Sequence, residues 1–241
     1  MKILAQKHIM KPSDRDKIIN YTDAGFNFYS PMMQAAINGR LLVVKFLNEN
    51  NLLKQEEISL AFIKSAQFGH LQTCRYLREE SKWRTFPIDF ADSLGETALH
   101  KAAFNGFVET CRYLTIECLA DFEKRGRCGW TSLMYAAIGG NRATVEFFCN
   151  IGANVLAIDH CPSGDTVFHL AAYHGNAQVV EFLCKKYPEQ INRENKFGMT
   201  AKLRAESQNH SDVLRVFEKI VKENPNPGVI ERPPTVKFED C

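Results

Sequence analysis

The ten residues from Thr97 to Gly106, T-A-L-H-K-A-A-F-N-G, recur as Thr131 to Gly140 (T-S-L-M-Y-A-A-I-G-G) and as Thr166 to Gly175 (T-V-F-H-L-A-A-Y-H-G). The copies stand 34 and then 35 residues apart (97, 131, 166). Fainter copies at Ser30 to Gly39, Leu60 to Gly69 and Thr200 to Asn209 bring the number of units to six. A period of this size dictates a stacked architecture, in which each unit buries its apolar face against the next. Length alone suggests one or two domains for 241 residues; the period replaces that estimate with one solenoid.

Within a unit the pattern reads as a helical hairpin. Thr97 is placed to cap the first helix, its hydroxyl accepting from a free backbone N–H of the first turn. Leu99, Ala102 and Ala103 form a narrow apolar face that lets neighbouring helices approach closely. Gly106 ends that helix, and the equivalent positions are Gly39, Gly69, Gly140, Gly175 and Asn209. A left-handed turn favours Gly first and Asn next, which is the order found. Val108, Cys111, Tyr113 and Leu114 then mark a second helix with its apolar side inward.

The eight cysteines follow the same register. Cys74 and Cys111 occupy equivalent sites, as do Cys149 and Cys184. Equivalent sites on stacked helices lie about 10 Å apart, beyond the reach of a disulfide, so these are reduced core residues. Cys118 with Cys128, or His160 with Cys161, offer metal-ligand types, yet no CxxC or HxxxH pair supports a closed site, and no metal is expected. A net charge of +2, with both signs mixed along the chain, points away from nucleic acid and anionic membrane. The first residues, M-K-I-L-A-Q-K-H-I-M-K-P-S, are too interrupted for a signal peptide, and no segment reaches transmembrane length. The expectation is a soluble cytoplasmic protein, with a nuclear or cytoskeletal placement left open.

The combination T-A-L-H-x-A-A-x-x-G, an aliphatic helix, and G-A-N-V-L-A-I-D in the fourth unit resembles the ankyrin repeat. The resemblance covers about residues 30 to 220 and is most specific in units three to five. It implies an all-α ankyrin-repeat solenoid of paired antiparallel helices with β-hairpin fingers at the junctions. Residues 1–29 are expected as an N-terminal cap, 30–223 as the repeat domain, and 224–241 as a proline-rich extended tail. Unit two departs from the pattern, with Leu60 in place of Thr and Ile63 in place of His. The first two units are 30 residues apart, too few for a full finger, and the next two are 37 apart (30, 60, 97), which predicts an enlarged finger. Glu206 replaces an alanine in unit six, as a terminal unit facing water allows.

The resemblance implies that His100 and His169 bond backbone groups of the adjacent finger. It also implies that a finger asparagine, here Asn192, can be offered to an intracellular hydroxylase, although Gln190 replaces the usual acidic neighbour. The sequence holds no phosphate-binding loop, no nucleophile elbow and no H-E-x-x-H. No enzyme and no cofactor are expected, and Asp159 and Asp165 read as turn residues.

Binding is the better supported role. Finger tips and the last residues of each first helix are expected to line a concave face, at positions the fold does not dictate. Those slots hold Phe68, Leu94, Phe104, Asn105, Arg125, Arg127, Trp130, Ile138, Tyr173, His174 and Phe197, together with Glu96. Interface anchors favour Trp, Tyr and Arg, so Phe68, Phe104, Trp130, Tyr173 and Phe197 are the expected contacts to a protein partner. Arg125 and Arg127 suggest some acidic character in that partner; the rings could equally serve as spacers between fingers. The expected function is a non-enzymatic adaptor, monomeric outside its complex. The alternatives are a structural component of a large cytoskeletal or other multiprotein assembly, and a secreted or host-directed effector.

Overall fold

A computed structural model describes residues 30–50, 55–81 and 86–223 of the chain. The expected N-terminal cap and proline-rich tail lie outside the described residues, as does the part of the enlarged second finger at 82–85.

Five of the six first helices begin at a hydroxyl. Ser30, Thr131 and Thr200 accept the backbone N–H three residues on, at 3.4, 3.5 and 3.3 Å. At Thr97 the cap is reciprocal: its hydroxyl accepts the His100 N–H, and His100 Nδ1 accepts the Thr97 N–H at 3.1 Å. Thr166 and His169 repeat this arrangement. Histidine thus fills the place that Glu or Gln takes in a capping box. Leu60 has no such oxygen, and its helix runs back to Gln55. The chain between the first two units is correspondingly short.

Among the described residues there are twelve α-helices and no strand. They are α1 (Pro31–Ile37), α2 (Leu41–Glu49), α3 (Gln55–Gln67), α4 (Leu71–Arg75), α5 (Ala98–Asn105) and α6 (Val108–Arg112), followed by α7 (Ser132–Ile138), α8 (Arg142–Asn150), α9 (Val167–Tyr173), α10 (Ala177–Lys186), α11 (Ala201–Ser207) and α12 (Ser211–Glu223). The junction fingers are tight turns. Isolated antiparallel bridges, Ala91 to Thr97 and Ile158 to Thr166, stand where longer hairpins were expected.

Two compact bodies divide these elements, the first made of residues up to Ala102 with Glu109–Ala120 and the second of Ala103–Val108 with the residues from Asp121 on. In the first body α1 packs on α2 and α3, and α3 on α4. Met32, Val44, Ile58, Phe62 and Leu77 are buried there, and the Phe86 ring meets Phe62 edge-on at 5.0 Å. Both α4 and α6 continue into a five-residue π turn, Tyr76–Glu80 and Tyr113–Glu117. The second of these absorbs an inserted residue. Ala120 N–H reaches back to the Leu114 carbonyl, whereas its counterpart Ala153 needs one residue fewer to reach Phe148. Arg75 secures the pair of turns, binding Glu117 at 2.5 Å while lying over the Tyr113 ring at 4.4 Å.

In the second body, the first helices α7, α9 and α11 form one row and the second helices α8, α10 and α12 another. The motif alanines 136, 137, 171, 172 and 205 are buried between first helices, and Phe148, Leu183 and Phe217 fill the interior behind them. Gly139 shows how close the approach is: a Cβ there would lie 1.9 Å from the Phe104 carbonyl oxygen. The α12 helix buries Val213, Phe217 and Ile220, and Glu206 on α11 is exposed as expected.

A second set of bonds was not read from the sequence. At four of the turns between paired helices the residue that follows reaches the preceding unit: His70 Nε2 donates to the Ile37 carbonyl at 2.8 Å, Asn141 to Phe104 at 2.7 Å, and His210 to Tyr173 at 2.8 Å. Asn176 donates twice, to Ala137 at 2.7 Å and Ile138 at 2.9 Å. These bonds satisfy carbonyls left over at helix C-termini. Asn176→Ala is expected to cost about 1–2 kcal/mol, measured as a lower urea midpoint, with Asn141→Ala costing less because one bond is lost.

Candidate protein-recognition site

In the third and sixth units a short side chain at the start of the finger turn fixes its tip. Asp92 accepts the Leu94 and Glu96 N–H groups at 2.9 and 3.0 Å, and Asn195 accepts those of Phe197 and Met199 at 2.9 and 3.0 Å. Such turns are an intrinsic use of Asp and Asn. Their result is to hold Leu94 and Phe197 outward, 52% and 63% exposed.

Adjacent fingers of the second body are tied to one another. His160 N–H donates to the Cys128 carbonyl at 2.8 Å, and Lys196 N–H to Ser163 at 2.9 Å. The Arg125 guanidinium donates to the carbonyls of Gly129 and Ile158, at 2.6 and 2.7 Å. Arg125 is therefore a brace between fingers, whatever else it contacts. Trp130 is partly buried, its indole N–H 3.4 Å from Asp159 and its ring edge-on to Tyr135 at 5.6 Å. Arg127 is exposed at the same tip.

The ends of the first helices supply the other slots. Phe104, Ile138 and Tyr173 occupy the same place in three successive units, and Phe104 remains 44% exposed. Tyr173 is half-buried, with the Arg204 guanidinium over its ring at 4.8 Å and His174 against its edge at 5.3 Å. Asn105 and His174 are exposed beside them. In the first body Phe68 is 44% exposed at the end of α3. Glu96 differs from its expected surface slot: it is buried and paired with Lys101, which also lies 3.3 Å from Asp92. Asn192 is exposed after the short turn Pro188–Gln190.

Under the second body's fingers lies a buried polar network. Asp165, 1% exposed, accepts the Asn195 amide at 2.6 Å and the Ser163 hydroxyl at 3.1 Å, and it pairs with Arg204. Its own N–H is held by Asp159 at 2.9 Å. His169 sits beside this network. Its Nδ1 accepts from Thr166, so its proton is on Nε2, which donates to the Met199 carbonyl at 2.9 Å. That is the adjacent-finger contact expected of it.

Burial holds the His169 pKa below its ordinary 6.5, outweighing the nearby Asp165 carboxylate. His174 shifts the same way, through desolvation and then the neighbouring His210. The sign for stability is fixed by this direction. Above 6.5 the imidazole is neutral folded or unfolded, and its contribution is intact; below 6.5 the unfolded chain takes up a proton that folded His169 resists. Stability should fall as the pH drops from 6.5 toward the folded value, by up to about 1.4 kcal/mol per pH unit from His169. Thermal unfolding at pH 7.5 and 5.5 measures the slope, and His169→Gln should flatten it.

Stacked helical hairpins, braced fingers and outward-facing tips define a repeat scaffold built for recognition. The family model for ankyrin repeats matches three overlapping stretches, residues 32–125, 64–159 and 115–195, and the chain belongs to that family. Ankyrin repeats are generally non-enzymatic protein-interaction modules. The chain is 28% identical over 212 residues to a transient receptor potential cation channel subfamily A member 1 homolog of Caenorhabditis elegans, covering 87% of this chain and 17% of that protein. It is 28% identical over 156 residues to the ankyrin repeat and KH domain-containing protein mask-1 of the same species, covering 64% and 6%. Over 85 residues it is 35% identical to the putative E3 ubiquitin-protein ligase XBAT31 of Arabidopsis thaliana, covering 35% and 18%. The chain thus spans less than a fifth of the length of these relatives. Among the described residues, no helix is long and apolar enough to cross a membrane.

Proposed function

We propose that this chain is a non-enzymatic module that captures a protein partner on the first-helix ends and finger tips of its second body, through Phe104, Ile138, Tyr173 and Phe197. The observation that carries this reading is the exposure of Phe104 and Phe197 at places the fold leaves free. Gln67 and Ser207 stand where units two and six align with Phe104, so stacking does not require an aromatic ring there. A ring kept in water contributes little to folding, whereas its removal from water on docking stabilises a complex.

The tips are fixed before binding by Asn195, Arg125 and the bonds between fingers, so little ordering entropy opposes association. Arg125 already braces the fingers, which leaves Arg127 and, beside Phe197, Lys196 as exposed cations of the tips. The relatives include a cation channel homolog, an ankyrin repeat and KH domain-containing protein and a putative E3 ubiquitin-protein ligase. Their diversity supports recognition as what the repeats contribute.

Affinity capture with the intact chain, run beside Phe104→Ala/Phe197→Ala, tests the reading. Proteins retained by the first and lost by the second support it. Equal retention by both would move the site to another surface.

A further inference from the structure

Two cysteines meet where the fourth and fifth units' fingers touch. Cys128 lies at the fourth tip, exposed, with φ of 57°. A non-glycine residue in that left-handed region is uncommon and marks local strain. Its cause lies two residues earlier. Where the other tips carry Asp92, Asp159 or Asn195 to tie the turn, this finger has Gly126, whose N–H meets the Trp130 carbonyl at 2.9 Å; the loop is held instead by Arg125 on the Gly129 carbonyl and by the Tyr135 hydroxyl, which accepts the Arg127 N–H at 3.0 Å.

The fifth finger is longer, seven residues from Asp159 to Asp165 against five from Asp92 to Glu96. The added length brings His160 and Cys161 against the fourth tip. His160 N–H donates to the Cys128 carbonyl at 2.8 Å, and the His160 ring fills the space beside Gly129, where a Cβ would lie 2.2 Å from it. This backbone bond fixes the distance between the two tips. Cys161 follows His160 directly, so the same backbone bond sets its side chain beside the Cys128 tip, with the Asp159 carboxylate two residues back.

We propose that Cys128 and Cys161 form a thiol-modification site, at which a peroxide drives closure of a disulfide between adjacent finger tips. Cys128, being exposed, meets the oxidant first. Its sulfur takes one oxygen from hydrogen peroxide, giving a sulfenic acid and releasing one water. The Cys161 sulfur then attacks the Cys128 sulfur, the S–O bond breaks, and the S–S bond forms. The Cys161 proton passes to Asp159 and on to the departing hydroxide, which leaves as a second water. In sum two thiols lose two electrons and two protons, and one peroxide becomes two waters. Burial, with the Asp159 carboxylate next in effect, pushes the Cys161 thiol up to about 12. That keeps the reaction with peroxide on Cys128, and it makes transfer of the Cys161 proton to Asp159 a requirement of the second step.

The four buried cysteines of the helices provide an internal control. Cys74, Cys111, Cys149 and Cys184 have no access to the oxidant and should stay reduced. The full-length protein is treated with hydrogen peroxide, alkylated, digested and analysed by mass spectrometry. The expected product is a peptide pair joined through Cys128 and Cys161, lighter by two hydrogens, with a rise in Tm that dithiothreitol reverses. In Cys161→Ser, Cys128 should accumulate as sulfenic acid and be trapped by a cyclic dione; in Cys128→Ser, Cys161 should remain a thiol. A link to a different cysteine, a disulfide-bonded dimer, or a Cys161→Ser protein with Cys128 unoxidised would each overturn the proposal.

Discussion

Asp165→Ala is expected to destabilise the protein by about 3–5 kcal/mol, the range for removing one member of a buried charge pair. The carboxylate is 1% exposed and joins elements from two successive units: Ser163 in its own finger, Asn195 in the next, and Arg204 on α11. Without it, the Arg204 guanidinium stays over the Tyr173 ring with its main anion gone, and the Asn195 amide loses an acceptor. The Tm and the urea midpoint should fall together. The double variant Asp165→Leu/Arg204→Met should be more stable than Asp165→Ala, because the cost comes mainly from the charge left behind. If Asp165→Ala unfolds like the unmodified protein, the network does not hold these units together.

The second large effect concerns binding and leaves folding nearly unchanged. Phe104→Ala and Phe197→Ala should each weaken partner affinity by about 30-fold or more, the loss that corresponds to a 2 kcal/mol interface anchor. Both rings already face water, so the Tm of either variant should stay close to that of the unmodified chain. Tyr173 behaves differently. Its ring lies under Arg204, and Tyr173→Ala should lower affinity and stability together. Trp130→Ala should do likewise, since its indole spans to Asp159 and packs on Tyr135. These two residues serve the fold as well as any partner, and a binding defect in them alone proves little about the surface.

The contrast between Phe104 and Tyr173 also shows what a sequence reveals. Both stand at one register position and read alike, because the repeat fixes backbone placement. Which of them is covered depends on Arg204, 31 residues beyond Tyr173 and one unit later, and no local pattern announces that contact. The helix caps, the glycine turns and the alanine faces were legible because each depends on residues within its own unit. Arg125 was not: its partners are carbonyls, Gly129 and Ile158, and a carbonyl has no signature in the sequence. The π turns escaped for a related reason, since one inserted residue after Tyr113 leaves the apolar spacing of the helix almost unchanged. Asp165 looked like an ordinary turn residue, and in its own finger it is one. Its larger role arises from two residues of the next unit, Asn195 and Arg204, meeting it under the fingers.

The most direct test of the recognition account is hydrogen exchange on the captured complex, compared with the free protein under the same conditions. The account predicts that added protection concentrates at residues 104–106, 138–140, 173–175 and 195–199, the first-helix ends and the sixth unit's finger of the second body. Protection confined to the outer sides of α8 and α10, or to residues 224–241, would contradict it and place the partner elsewhere.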